Sequence, residues 1–193
     1  TVADLEGFKM RLPGLGGEVL KRAGGVPVNL PGGEIFTSLQ TGAIDATEWV
    51  GPYNDLAFGL HKAAKFYYYP GWHEPGTTIE FMANKAALEA LPEDLRMIVE
   101  VAAKATNEEM LDEYMVQNMK ALKVLVNEHG VELRQFPPEV MDKLKGLTEE
   151  VLKEQVATDP QMKKVYDAYM AFLADAKEYS KVSSKAYIEL RDN

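Results

Sequence analysis

The strongest constraint on this fold is the way glycine and proline cut residues 8 to about 84 into short pieces. Phe8-Lys9-Met10-Arg11-Leu12 alternates apolar and polar residues as a strand does, and Pro13-Gly14-Leu15-Gly16-Gly17 after it reads as a turn. Glu18 to Ala23 then reads as a short helix closed by Gly24-Gly25. Val26 to Leu30 is a second strand, Pro31-Gly32-Gly33 a second turn, and Glu34 to Thr41 a second helix ended by Gly42. Ile44 to Trp49 is a third extended segment. Strand, helix, strand, helix, strand at this spacing predicts parallel βαβ units, hence an α/β fold with helices packed on a parallel or mixed sheet. Phe66–Tyr69 and Thr77–Ala83 are further strand candidates.

From about residue 85 the pattern changes to long helices. Leu91-Pro92-Glu93-Asp94 places acidic residues where a helix N-terminus favours them. Leu95, Ile98, Val99, Ala102, Leu111, Met115, Met119, Leu122 and Val126 then recur at helical spacing up to Gly130. Val131–Phe136 alternates like a strand, Pro137-Pro138 opens another helix, and Pro160 starts or kinks a last one that runs toward Arg191. The expected organisation is a β/α region over 1–84, a long helix with a return strand over 85–136, and C-terminal helices over 137–193.

Composition excludes several functions. A formal net charge of −9 argues against general nucleic-acid binding, which needs a basic face to neutralise phosphates. A local arginine in a cleft can still attract a small anion. The chain has no cysteine, so disulfides, thiolate nucleophiles and cysteine-based zinc sites are impossible. No apolar run approaches a bilayer span and no signal peptide is visible. Thr1-Val2-Ala3-Asp4 reads as the middle of a protein.

Catalytic motifs are missing too. Gly14-Leu15-Gly16-Gly17 lies between a strand and a helix but is not a dinucleotide fingerprint, and a plain turn is the better reading. His61, His73 and His129 share no metal-ligand spacing; His61 and His129 read as surface or supporting residues. No serine sits in a nucleophile elbow. Hydrolase chemistry is therefore unsupported.

Three places hold binding chemistry. Arg11 sits mid-strand or at a strand's end, shortly before Pro13-Gly14; if the sheet is parallel, the C-terminal end of that strand faces the ligand crevice, and a guanidinium there can grip a carboxylate with two hydrogen bonds. A surface ion pair fits the spacing equally well. Glu48-Trp49 closes the third strand, where a carboxylate suits a hard cation, although an exposed Glu beside a core Trp is the simpler reading. Tyr67 to Gly76 is dense in aromatic residues, which suits either a pocket wall or packing at a lobe junction.

Read together, Gly7–Arg11, Gly42–Tyr53 and Tyr67–Glu74 resemble the DctP-type solute-binding proteins of TRAP transporters. The likeness is greatest to the branch that binds 2-oxo or 2-hydroxy monocarboxylates such as pyruvate or lactate together with a metal cation, and it covers about residues 7 to 136. The resemblance implies one lobe of a two-lobed periplasmic-binding-protein fold. It also implies a periplasmic location, TRAP membrane subunits as partners, and calcium or sodium bridging ligand and protein. Arg11 then matches the arginine that pairs with the substrate carboxylate. Glu48 matches the metal-binding carboxylate, and Trp49 its neighbour offering a backbone oxygen. Glu74 lines the same cleft as a further metal-binding or supporting group, and Trp72 and Phe81 wall the cavity. Members of the family are longer, and their N-terminal lobe supplies further ligand groups. Some relatives dimerise by exchanging a C-terminal helix. Met162, Val165, Tyr166, Tyr169, Met170, Phe172 and Leu173 give this chain an apolar face suited to a homodimer or to packing within the chain. The competing readings are a helical interaction fragment without a ligand and the binding of another small organic acid.

Overall fold

A computed structural model describes residues 1–76 and 79–192. After a 3-10 turn at Val2–Leu5, the N-terminal half runs β1 (Lys9–Arg11), α1 (Gly14–Arg22), β2 (Val26–Val28), α2 (Gly32–Thr41), β3 (Ala46–Thr47), α3 (Pro52–Ala57), a 3-10 turn at Leu60–Lys62 and β4 (Phe66–Tyr69). It continues with α4 (Lys85–Glu89), α5 (Glu93–Asn127), β5 (Glu132–Gln135), α6 (Pro138–Thr158), α7 (Pro160–Val182) and α8 (Ser184–Arg191). The backbone divides into two compact units, Thr1–Lys145 and Gly146–Asn193.

The expected βαβαβ unit forms. Its three strands are parallel in the order β2-β1-β3, with β1 central. The register pairs Arg11 with Val28 on one side and with Thr47 on the other. That pairing puts the C-terminal ends of β1 and β3 side by side, so Arg11 and the residue after Thr47 become neighbours. Gly42 ends α2 at φ 73°, a left-handed position that glycine adopts without strain, and its N–H bonds Leu39 O. Ile35, Leu39, Ile44 and Leu60 are buried beneath this sheet, with Val28, Leu30, Phe36, Trp49 and Ala63 packed against them. A second pair, β4 and β5, is also parallel, with Tyr67 opposite Leu133.

Several boundaries differ from expectation. The segment Pro13–Gly17 is not a free turn: α1 begins at Gly14, directly after Pro13. The strand expected over Thr77–Ala83 does not form at residues 79–83, and Thr77 and Thr78 lie outside the described residues. The last helix is broken at Ser183, which stands at φ −125° and ψ −118°, so α7 and α8 are separate. Asp159 starts α7 by accepting hydrogen bonds from the Gln161 and Met162 N–H groups, with Pro160 in the first turn.

The long helix α5 forms, but its apolar residues do not all face a core. Ala121 and Leu125 are buried, whereas Leu95, Ile98, Leu111, Met115 and Met119 are exposed. Helical periodicity records a face; it does not say what covers that face. Among the described residues, no helix is long and apolar enough to cross a membrane.

Candidate functional site

The site grows from the register of the sheet. Arg11 ends β1, Glu48 follows β3, and their side chains form an ion pair through Nη1 and Oε1. Both are largely buried, their side chains exposed to 12% and 18%. Arg11 also donates from Nε to Leu30 O at 3.2 Å, which fixes the guanidinium against the end of β2. Its Cζ lies 5.4 Å from the centre of the Trp49 ring, a cation–π contact. A guanidinium carries five N–H donors, so donors beyond the two in these bonds remain for a carboxylate ligand.

Trp49 is held firmly. Its ring is 5.0 Å from that of Phe58, and it lies over the first turn of α2 so closely that a Cβ on Gly32 would stand 2.6 Å from Cη2. Its indole nitrogen is buried without a hydrogen-bond partner.

The loop after β4 brings the remaining groups. Glu48, His73 and Glu74 each present a ligand atom, all within 4.8 Å of one another. Glu48 and His73 are each partly shielded from solvent and Glu74 is exposed. The His73 ring has a Trp72 neighbour at 4.9 Å between ring centres, and its buried Nδ1 has no hydrogen-bond partner. Two carboxylates and an imidazole with an unused nitrogen suit a cation; the donor chemistry therefore fits a metal.

The electrostatics agree. Burial pushes the Glu48 carboxyl above its ordinary value; the Arg11 charge and hydrogen bond pull it back, and Glu74 and Asp55 push it further up. A carboxylate held this way gains from a positive charge placed beside it. Burial also holds the His73 imidazole below its ordinary value, against the opposing pull of Glu74, and so favours the neutral, metal-binding form.

Behind the site lies Asp55, 7% exposed. It accepts a 2.5 Å hydrogen bond from the Tyr67 hydroxyl and one at 3.4 Å from the Gly51 N–H. Burial raises its carboxyl, opposed by those bonds and by one from the Val50 backbone. Tyr67 is raised as well, by burial first and then by the Asp55 charge. On the neighbouring turn, Asn118 of α5 accepts a 2.9 Å hydrogen bond from the Tyr53 N–H and steadies the start of α3.

Of the residues singled out from the sequence, the structure gathers Arg11, Glu48, Trp49 and Glu74, with Trp72 joined through His73. Phe81 is 70% exposed on the segment before α4. His73 escaped sequence reasoning because the spacing of histidines alone says nothing about a carboxylate from another strand; its adjacency to Glu74 was the available signal. Asp55 gave no signal, since an acidic residue near a helix start is ordinarily solvated.

The model of the family of bacterial extracellular solute-binding proteins, family 7 (DctP), matches residues 1–159. The chain belongs to this family. A monocarboxylate 2-oxoacid-binding periplasmic protein of Nostoc is 41% identical over 187 residues, 97% of this chain and 51% of the relative. A TRAP periplasmic solute-binding protein of Colwellia psychrerythraea, with bound calcium and pyruvate, superimposes with a TM-score of 0.92 at 39% identity, over 98% of this chain and 58% of that one. One from Pseudoalteromonas atlantica, with bound sodium and pyruvate, gives 0.92 at 40% identity, over 98% and 57%. The chain thus spans between half and three-fifths of the length of these relatives.

Proposed function

We propose that this chain carries the carboxylate- and cation-holding part of an extracytoplasmic solute-binding subunit, which captures a small 2-oxo or 2-hydroxy monocarboxylate in the periplasm for TRAP membrane subunits. The observation that supports this most is the convergence of Arg11, Glu48, His73 and Glu74 at the C-terminal ends of parallel strands, the place where such sheets hold ligands. The relatives named above, which hold pyruvate with calcium or with sodium, support the ligand class.

In this reading Arg11 takes the ligand carboxylate, releasing part of its hold on Glu48. Glu48 and Glu74 would then hold calcium or sodium, with the Trp49 backbone oxygen as a further donor and the His73 ring beside them. The cation supplies positive charge that draws the carboxylate and the adjacent oxo or hydroxyl oxygen of the ligand together. Trp72 and Phe81 are assigned the apolar wall, Phe81 taking that role only when bound solute covers it. The role is binding, not catalysis. Arg11→Ala tests it by titration calorimetry with pyruvate and calcium. Removing one partner of a desolvated charge pair is expected to cost about 2–5 kcal/mol of affinity, and unchanged affinity would refute the site.

A homodimer is part of the same proposal. Val165, Tyr169 and Phe172 recur on one face of α7 and are all exposed, a surface that a second copy would cover.

A further inference from the structure

We infer that the buried Asp55–Tyr67 pair is a clasp that sets the spacing between the two segments carrying the cation donors; its bearing on ligand capture rests on the function proposed above. Asp55 follows Glu48 by seven residues and Tyr67 precedes Glu74 by seven, so one hydrogen bond ties together the two stretches of chain that lead to the site. The donor segments belong to different sheets: Glu48 follows β3 of the three-stranded sheet, and Glu74 follows β4 of the two-stranded one. Strand pairing therefore does not fix their separation, and the Asp55–Tyr67 bond links them directly.

The pair is built for that task. Asp55 is almost fully buried, and its second oxygen accepts the N–H of Gly51, within the loop that leaves Glu48 and Trp49. A movement of β4 relative to α3 thus pulls on this loop directly. A buried carboxylate left without its hydroxyl donor loses a charge-assisted bond that water cannot replace, so the two segments are not free to drift apart. Asp55 and Tyr67 act through the donors and are positioning residues.

The test compares wild type, Tyr67→Phe and Val151→Ala. Val151 is buried and belongs to the C-terminal unit, so its truncation supplies a control destabilised by lost packing alone. Hydrogen exchange of the unliganded chain reads the clasp without reference to any ligand. In Tyr67→Phe the amides of residues 48–51 and those of β4, the strand that leads to Glu74, are expected to exchange faster together, while β1 and β2 stay protected; Val151→Ala is expected to leave both segments as in wild type. Calcium titration of the same proteins is expected to show about tenfold weaker binding in Tyr67→Phe and wild-type affinity in Val151→Ala. Unchanged exchange in either segment of Tyr67→Phe would overturn the clasp, as would equal loss of calcium affinity in both variants. Coupled loss of protection in a chain whose wild type takes up no calcium would support the clasp and refute the proposed function.

Discussion

At the scale of single residues, the site turns on charges removed from water. Glu48 is held above the ordinary glutamate value of 4.5, chiefly by burial, and a cation needs its deprotonated form. Protons therefore compete more strongly here than at an exposed glutamate. Calcium affinity, measured from about pH 8 down to about pH 4, is expected to begin falling above the ordinary glutamate range. A fall delayed until below that range would contradict the electrostatics. His73 adds a nitrogen donor to an otherwise oxygen-based set, and imidazole favours borderline metals such as zinc over calcium. His73→Gln is expected to weaken zinc binding about tenfold and to leave calcium nearly unchanged, as competition titrations would reveal. The sequence offered Arg11 and Glu48 with two readings each, because a strand end does not say which partner it meets. Register supplies the partner: Arg11 sits opposite Thr47 and Glu48 comes next, so the two side chains pair. His73 and Asp55 were illegible because their significance depends on contacts between segments far apart in the chain.

At the scale of elements, the glycine and proline punctuation was an accurate guide where a turn is a local matter. The three strands and two helices of the βαβαβ stretch from β1 to β3 appear in the expected order, and Gly42 closes α2 as predicted. Boundaries failed where helix propagation competed with turn chemistry, as at Gly14–Gly17, and where a helix broke without glycine or proline, as at Ser183. The two glycines that open α2 have opposite roles. A Cβ on Gly32 would strike the Trp49 ring, whereas one on Gly33 meets nothing within 4 Å. Gly32→Ala is expected to cost about 1–3 kcal/mol through displacement of Trp49. Gly33→Ala is expected to be neutral or to add up to about 1 kcal/mol from helix propensity. Thermal denaturation of both variants checks the contrast; equal effects would show that Trp49 is not wedged as described.

At the scale of the whole molecule, fold class was legible because alternating strands and helices permit few arrangements. The apolar face of α5 was legible as a helix but not as an exposed surface, since periodicity does not name what packs against it. The same holds for α7, where the proposed homodimer makes a direct prediction. Phe172→Asp is expected to shift the chain from dimer to monomer in light scattering at several concentrations, and an unchanged mass would rule out that face. The central claim, capture of a small carboxylate together with a cation, is tested most directly by calorimetric titration of this chain with pyruvate, first with calcium and then after chelation. Saturable heat that disappears on chelation is the predicted result. Heat that chelation leaves unaltered, or no heat from a folded chain with either calcium or sodium, would contradict it.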